Sequence, residues 1–134
     1  MSRTKYVKSS SEILAYRLTQ PEGNNRTVAL LLDKLVDGSQ NISMGLCVID
    51  PKSQIPYHMH EKEEEAMYVL KGKGKAKIES AEYDLSEGSV IFIPPKMGHQ
   101  IVNTANKELR FLFVYGPSGP EQSVKAKGKP EPFR

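Results

Sequence analysis

His58 and His60 stand one residue apart, Glu65 follows five residues later, and His99 comes late in the chain. They sit in P-Y-H-M-H-E-K-E-E-E-A-M-Y-V-L-K-G and G-S-V-I-F-I-P-P-K-M-G-H-Q-I-V-N, and these two runs hold all three histidines. Three imidazoles and one carboxylate can together hold a divalent transition metal and leave a position open for substrate. Imidazole is the commonest transition-metal ligand near neutral pH, and a carboxylate adds charge neutralisation. A lone histidine is more often a surface or core residue, and 61–65 alone reads as a solvated acidic turn. H-x-H with a carboxylate and a third histidine, all on strand-like stretches, is poorly explained that way.

Strands must bring these side chains together. Residues two apart on a strand share a face, so an extended 57–60 points His58 and His60 the same way. The stretch 65–71 also reads as a strand ended by Gly72, with Glu65, Met67 and Val69 on one face. The acidic turn 61–64 returns it beside the histidines. His99 follows a Pro-Pro turn after the apolar strand 90–93. Two hairpins closing into a small barrel put all four side chains in one interior. Glu64 competes with Glu65 for the carboxylate position.

Other short apolar stretches fall at 27–35, 43–49, 76–79, 99–103 and 109–115, separated by Gly, Pro and Asn turns. Residues 10–20 fit a strand or a short helix. The pattern predicts an all-β sandwich or barrel. Alternation places Met67 and Ile101 inward with Glu65 and His99. On the last strand the set Phe111, Phe113 and Tyr115 is the better filling for a barrel than Leu112 and Val114. Met67, Ile101, Phe113 and Tyr115 are thus the expected pocket residues, although each is more often plain core. Tyr68 faces the other way and reads as packing. Arg110 is the arginine nearest the motifs; none is placed to grip a carboxylate.

At 134 residues and a net charge of +3, the chain fits one domain with one core. Its lysine runs, 71–77 and 125–129, lack the interleaved aromatics of a single-strand nucleic-acid platform. The first reads as a hairpin turn with solvated lysines; a phosphate-cradling loop is the weaker alternative. No helix-turn-helix segment, secretory signal or membrane-length apolar run is legible, so no nucleic-acid or membrane partner is expected. Cys47 is the only cysteine, in an apolar run, and reads as a small core residue. The lack of a disulfide pair fits a reducing, cytoplasmic setting.

The segment 51–103 resembles the two motifs of the cupin superfamily. The first, G-x5-H-x-H-x3,4-E-x6-G, is matched by His58, His60, Glu65 and Gly72. The second, G-x5-P-x-G-x2-H-x3-N, is matched by Gly88, Pro94, His99 and Asn103. The chain departs from the pattern twice. Asp50-Pro51-Lys52-Ser53 replaces the leading glycine turn, and Lys96 stands where the second motif has Gly. That glycine often serves a turn of positive φ, which Lys adopts only at some cost. Neither departure touches a ligand.

The resemblance implies a double-stranded β-helix, or jelly-roll barrel, over 41–116. It implies one divalent metal, iron, manganese, nickel or zinc, on His58, His60, Glu65 and His99. A homodimer is expected, with N-terminal strands in 1–40 as its arm. Residues 117–134 are expected to be a tail, partly disordered or draped on a partner subunit. Cupins span many reactions, so the fold does not decide the chemistry. A metal enzyme of dioxygenase type acting on a small oxygenated molecule is favoured. An oxygen-independent isomerase, lyase or decarboxylase, and a non-catalytic small-molecule binder, are the alternatives.

Overall fold

The computed structural model describes residues 6–133. A single turn of 3-10 helix, Ser10–Glu12, leads into β1 (Leu14–Leu18) and β2 (Arg26–Leu32). The helix α1 (Lys34–Asp37) follows, then β3 (Ser43–Ile49), β4 (Glu64–Lys71), β5 (Gly74–Ile78) and β6 (Ala81–Leu85). After these come β7 (Val90–Ile93), β8 (His99–Val102) and β9 (Leu109–Gly116), and the chain ends in α2 (Gln122–Lys127) and β10 (Lys129–Pro132). The larger sheet runs β10-β1-β2-β3-β9-β4-β7 and the smaller β6-β5-β8, with every pairing antiparallel. This is the expected all-β jelly roll.

Alternation builds the barrel wall. On β9 the residues Leu109, Phe111, Phe113 and Tyr115 are buried while those between them are half-buried. On β4 the buried residues are Glu65, Met67 and Val69, and Glu64 and Ala66 face solvent. Registers across the sheet set Glu65 beside Tyr115 and Met67 beside Phe113. One main apolar cluster fills the interior, joined by Ile101 of β8 and Ile91 of β7. On the outer face Ala15, Ala29 and Leu46 form a second cluster, covered by Ile13, Leu31 and Phe133. That cover explains why β3 is buried on both faces from Gly45 onward.

Several expectations change. The stretch 27–35 is not one strand. Asp33 stops it by accepting from the backbone N–H groups of Leu35 and Val36, which caps α1, and Gly38 ends that turn at φ 75°. Residues 57–60 make no regular strand. His58 and His99 form a single bridge, with bonds of 3.0 and 2.8 Å exchanged between their backbones. The N-terminal strands extend the larger sheet, where β1 pairs with β2 and β10, and β2 with β3. The tail is built into its own chain. Glu121 accepts from Lys34 N–H, while Gln122 and Lys125 both bond the Asp33 carboxylate, Lys125 at 2.5 Å. That buried polar cluster holds α2 in place, so order there comes from charge rather than apolar periodicity.

The two motif departures keep the turns of the motif. Lys52 has φ 59° and Lys96 has φ 69°, both left-handed. The chain therefore makes glycine turns with lysine, at a conformational cost. Gly72 has φ 100°, and a Cβ there would come within 2.6 Å of Glu108 O, so this motif glycine is needed twice over. Asn103 is fully buried. Its amide bonds the carbonyls of Ile49, Asp50 and Lys107, and its oxygen accepts from Ala105 N–H. It ties the end of β3 to the loop after β8.

Candidate metal centre

The barrel interior gathers His58, His60, Glu65 and His99, whose ligand atoms all lie within 4.8 Å of one another. Glu65 projects from the start of β4 and is 4% exposed; His99 opens β8 and is fully buried. His58 and His60 flank Met59, which turns to solvent. The neighbouring carboxylate Glu64 is exposed on the opposite face of β4.

The hydrogen bonds orient the rings. His58 Nδ1 lies 2.8 Å from Pro56 O, and His99 Nδ1 lies 2.9 Å from Met97 O. A carbonyl accepts only, so each Nδ1 carries the proton and each neutral ring keeps its Nε2 lone pair bare. Holding one ring nitrogen to a carbonyl is how metal-ligating histidines are set. His60 Nε2 and His99 Nε2 stand 3.4 and 3.3 Å from Glu65 Oε1. These contacts lack hydrogen-bond alignment: all three atoms are buried with no hydrogen-bond partner. Metal–ligand bonds of about 2.0–2.2 Å put neighbouring ligand atoms roughly 3.0–3.4 Å apart. The donor set and its spacing therefore fit a small divalent cation.

Electrostatics agree with that arrangement. Burial pushes the Glu65 carboxyl up, but His60 and His99 more than reverse this and hold it below the ordinary range. The His58 imidazole is pushed down to about 4, by burial first and then by His99. It is thus neutral and able to ligate at pH 7. The Tyr115 ring packs edge-on against His60 at 5.0 Å. Burial, with Glu65 nearby, raises its phenol well above 10, so Tyr115 keeps its proton.

The cluster opens onto a cavity of about 580 Å³. Two of the expected pocket residues, Phe113 and Tyr115, line it, and so does Phe111. Met67 and Ile101 do not. They are 2% and 1% exposed and belong to the main apolar cluster. Sharing a face with a ligand was not enough, because inward positions also fill the core beside the cavity. Phe113 reaches the cavity because its ring lies over Gly45, which has no side chain to displace it.

Other lining groups went unnoticed in the sequence. Arg26 lines the cavity, correcting the expectation that no arginine is near, while Arg110 is half-buried on the opposite parity of β9 from Phe111 and Phe113. Its signal was parity: Arg26 falls two before Val28 at the mouth of an apolar strand. Cys47 lines it too, with its thiol pushed up to about 12 by burial, so it is inert as a nucleophile. The segment from Gly119 through Val124 to Lys127 closes one side. Pro120-Glu121 ahead of helix-forming residues was the available clue.

Comparison with known proteins agrees with this geometry. A family model described as "Cupin domain" matches residues 45–115. An oxalate-binding protein of Thermotoga maritima is 31% identical over 113 residues, covering 83% of this chain and 93% of that one. The polyketide synthase CurC of Streptomyces cyaneus is 29% identical over 94 residues; the match takes in 70% of this chain but only 61% of that protein. A solved structure of a predicted oxalate decarboxylase from Thermotoga maritima superposes with a TM-score of 0.74 at 30% identity, covering 83% of this chain and 98% of that one. Both motifs, the jelly roll and the family match over 45–115 place this chain in the cupin family.

Proposed function

We propose that the chain holds one divalent transition metal on His58, His60, Glu65 and His99 and acts on a small oxygenated organic molecule, with oxygen-dependent cleavage as the leading reaction. The observation that carries this is the set of three buried donor atoms, His60 Nε2, His99 Nε2 and Glu65 Oε1, that meet no hydrogen-bond partner, with both nitrogens within 3.4 Å of the oxygen. A bound iron, manganese, nickel or zinc ion supplies Lewis acidity to a substrate oxygen there. The protein's own groups do the rest. Pro56 O and Met97 O keep the His58 and His99 rings aimed inward. Val28, Phe111 and Phe113 give the cavity an apolar wall that excludes water and suits an apolar or aromatic body. Glu61 and Glu63 also line it and are the carboxylates outside the cluster able to take or give a proton.

A second reading, oxygen-independent decarboxylation or simple ligand binding, is favoured by the Thermotoga oxalate-binding relative. Isomerisation or elimination belongs to the same oxygen-independent class. Elemental analysis of protein purified without a metal-affinity tag comes first. One equivalent per chain, lost in His58→Ala, His60→Ala and His99→Ala and weakened in Glu65→Gln, is expected. Full retention in a His58/His60 double variant sinks the site, and a larger effect from Glu64→Gln sinks the choice of carboxylate. Oxygen uptake by the iron-loaded protein with diketones and catechols supports the leading reaction. Turnover under nitrogen supports the second, and tight retention of a ligand without product supports a binder.

Self-association is part of the proposal. Val90 and Phe92 of β7 are 74% and 58% exposed, beside Tyr68 and Leu70 of β4. That apolar patch lies at the open edge of the larger sheet, where an unpaired strand is a liability. A second copy is its proposed cover. Wild type running as a dimer on sizing, and Phe92→Lys as a monomer, is the expected result. Among the described residues no helix is long and apolar enough to cross a membrane. A reducing, cytoplasmic location is proposed on the single unpaired Cys47.

A further inference from the structure

Two cations that the metal reading does not use line the cavity, the exposed Lys127 and the buried Arg26. Arg26 opens β2, is 8% exposed, and lines the same cavity as His58, His60 and Glu65. Its Nη1 donates to Asn24 O at 2.6 Å and to Gln20 O at 3.2 Å. Among the described residues no acceptor meets Nε or Nη2, and no carboxylate lies within ion-pair distance.

A purely structural role does not account for this. The loop 21–25 is already held by Asn25 N–H to Ser53 Oγ, Ser53 Oγ to Gly23 O, and Asn24 Nδ2 to Pro21 O. A neutral amide could serve the two carbonyls without bringing a charge indoors. Drawing a guanidinium out of water with no anion beside it is unfavourable. Burial holds Arg26 below its ordinary basicity, and the Cys47 thiol beside it stays protonated and offers no counter-charge. Cys47 feels the charges of both Arg26 and Glu65, so the arginine and the cluster act on the same buried space.

We propose that Arg26 binds the carboxylate of an anionic substrate in this cavity, as a specificity-determining residue separate from the His–Glu cluster. The planar fork of arginine matches two carboxylate oxygens, and its free edge, Nε and Nη2, is the matching pair. The substrate class is a small carboxylic acid whose apolar body lies against Val28, Phe111 and Phe113, with an oxygen donor directed at the cluster. This deepens the reading of the cavity as a substrate site, but Arg26 needs no metal to act.

Metal-free protein followed by NMR tests it, reading the Arg26 Nε–H resonance. The probes are matched pairs: benzoate with benzyl alcohol, 3-phenylpropanoate with 3-phenylpropanol, hexanoate with hexanol. At least one carboxylate shifts that resonance and binds about tenfold or more tightly than its alcohol, the gain of a charge-assisted pair. In Arg26→Met the ratio falls to about one while the alcohol's affinity holds. A ratio that survives Arg26→Met overturns the proposal, as does an Arg26 Nε–H that no carboxylate in the panel moves. If Arg26→Met fails to fold, Arg26→Lys decides: it retains the charge and loses the fork, so the ratio drops without vanishing, and an unchanged ratio again overturns the proposal. Protein that takes up no metal yet shows this preference sinks the metal reading alone. Protein that takes up metal without the preference sinks Arg26 alone.

Discussion

Replacing Gly45 by alanine strikes the cavity wall from behind. Gly45 pairs with Phe113 across β3 and β9, and the ring lies over it. A Cβ at Gly45 would stand 2.2 Å from Phe113 Cζ and 2.7 Å from Cε2, with Ala29 O at 2.9 Å. Carbon atoms sit at about 3.5–4.0 Å in ordinary contact, so the ring must retreat by roughly 1.5 Å. Tyr115 and Phe111 flank it along the strand, with ring centroids at 5.1 and 6.5 Å. Its open side is the cavity. Overpacking of this kind costs about 1–3 kcal/mol. An unfolding entropy of about 2.1 cal/mol/K per residue gives roughly 0.28 kcal/mol/K for this chain, so Tm falls by about 4–11 °C. Scanning calorimetry measures the fall. Metal content should not change, because Gly45 touches no ligand. Adding Phe113→Leu removes the ring contact but leaves Ala29 O in place, so it recovers part of the loss. The two changes should couple by about 1 kcal/mol or more. A Tm drop below about 1 °C, or strict additivity, would refute the reasoning.

The metal-free protein should lose stability as pH falls from 6.5 towards 4. His58 is depressed to about 4 in the fold from an ordinary 6.5, so the unfolded chain takes the proton first. Its contribution is full above 6.5, declines through that window, and changes no further below 4. Urea midpoints against pH in the presence of a chelator show the slope, and His58→Gln should flatten it; parallel curves would count against the assignment. Lys96→Gly should be neutral or stabilising by up to about 1 kcal/mol, since relief of a left-handed lysine outweighs glycine's extra freedom when unfolded. Lys96→Val, which is branched at Cβ, should destabilise, and the opposite order in denaturant midpoints would remove the strain argument. Asn103→Ala removes the donor that bonds the carbonyls of Ile49, Asp50 and Lys107, the first of these bonds buried. A loss of about 2–4 kcal/mol is expected in equilibrium unfolding, and a loss under about 1 kcal/mol would show that water replaces the amide.

The sequence by itself was enough for the class of fold and for the four residues of the cluster. Those features are local or periodic. The spacing to Gly72 in the cupin motif chose Glu65 over Glu64, alternation of period two favoured Phe113 over Leu112, and a strand cannot slip by one without turning its apolar face to water. Motif glycines were legible because a turn of positive φ restricts residue type, and the strain at Lys52 and Lys96 follows from the same rule. Tertiary structure decided what depends on partners distant in sequence. Val28 and Leu30 share Arg26's inward parity, yet only assembly of β2 beside β3 showed that its guanidinium meets a cavity, with no carboxylate of the described residues within ion-pair distance. Met67 and Ile101 have the parity of ligands and still fill core, since parity chooses a face and depth is set by neighbouring strands. The region after Gly116 has no apolar period to read. Its order comes from Glu121, Gln122 and Lys125 reaching Asp33 and Lys34, about ninety positions earlier, and such pairings form only when the fold has brought both ends together.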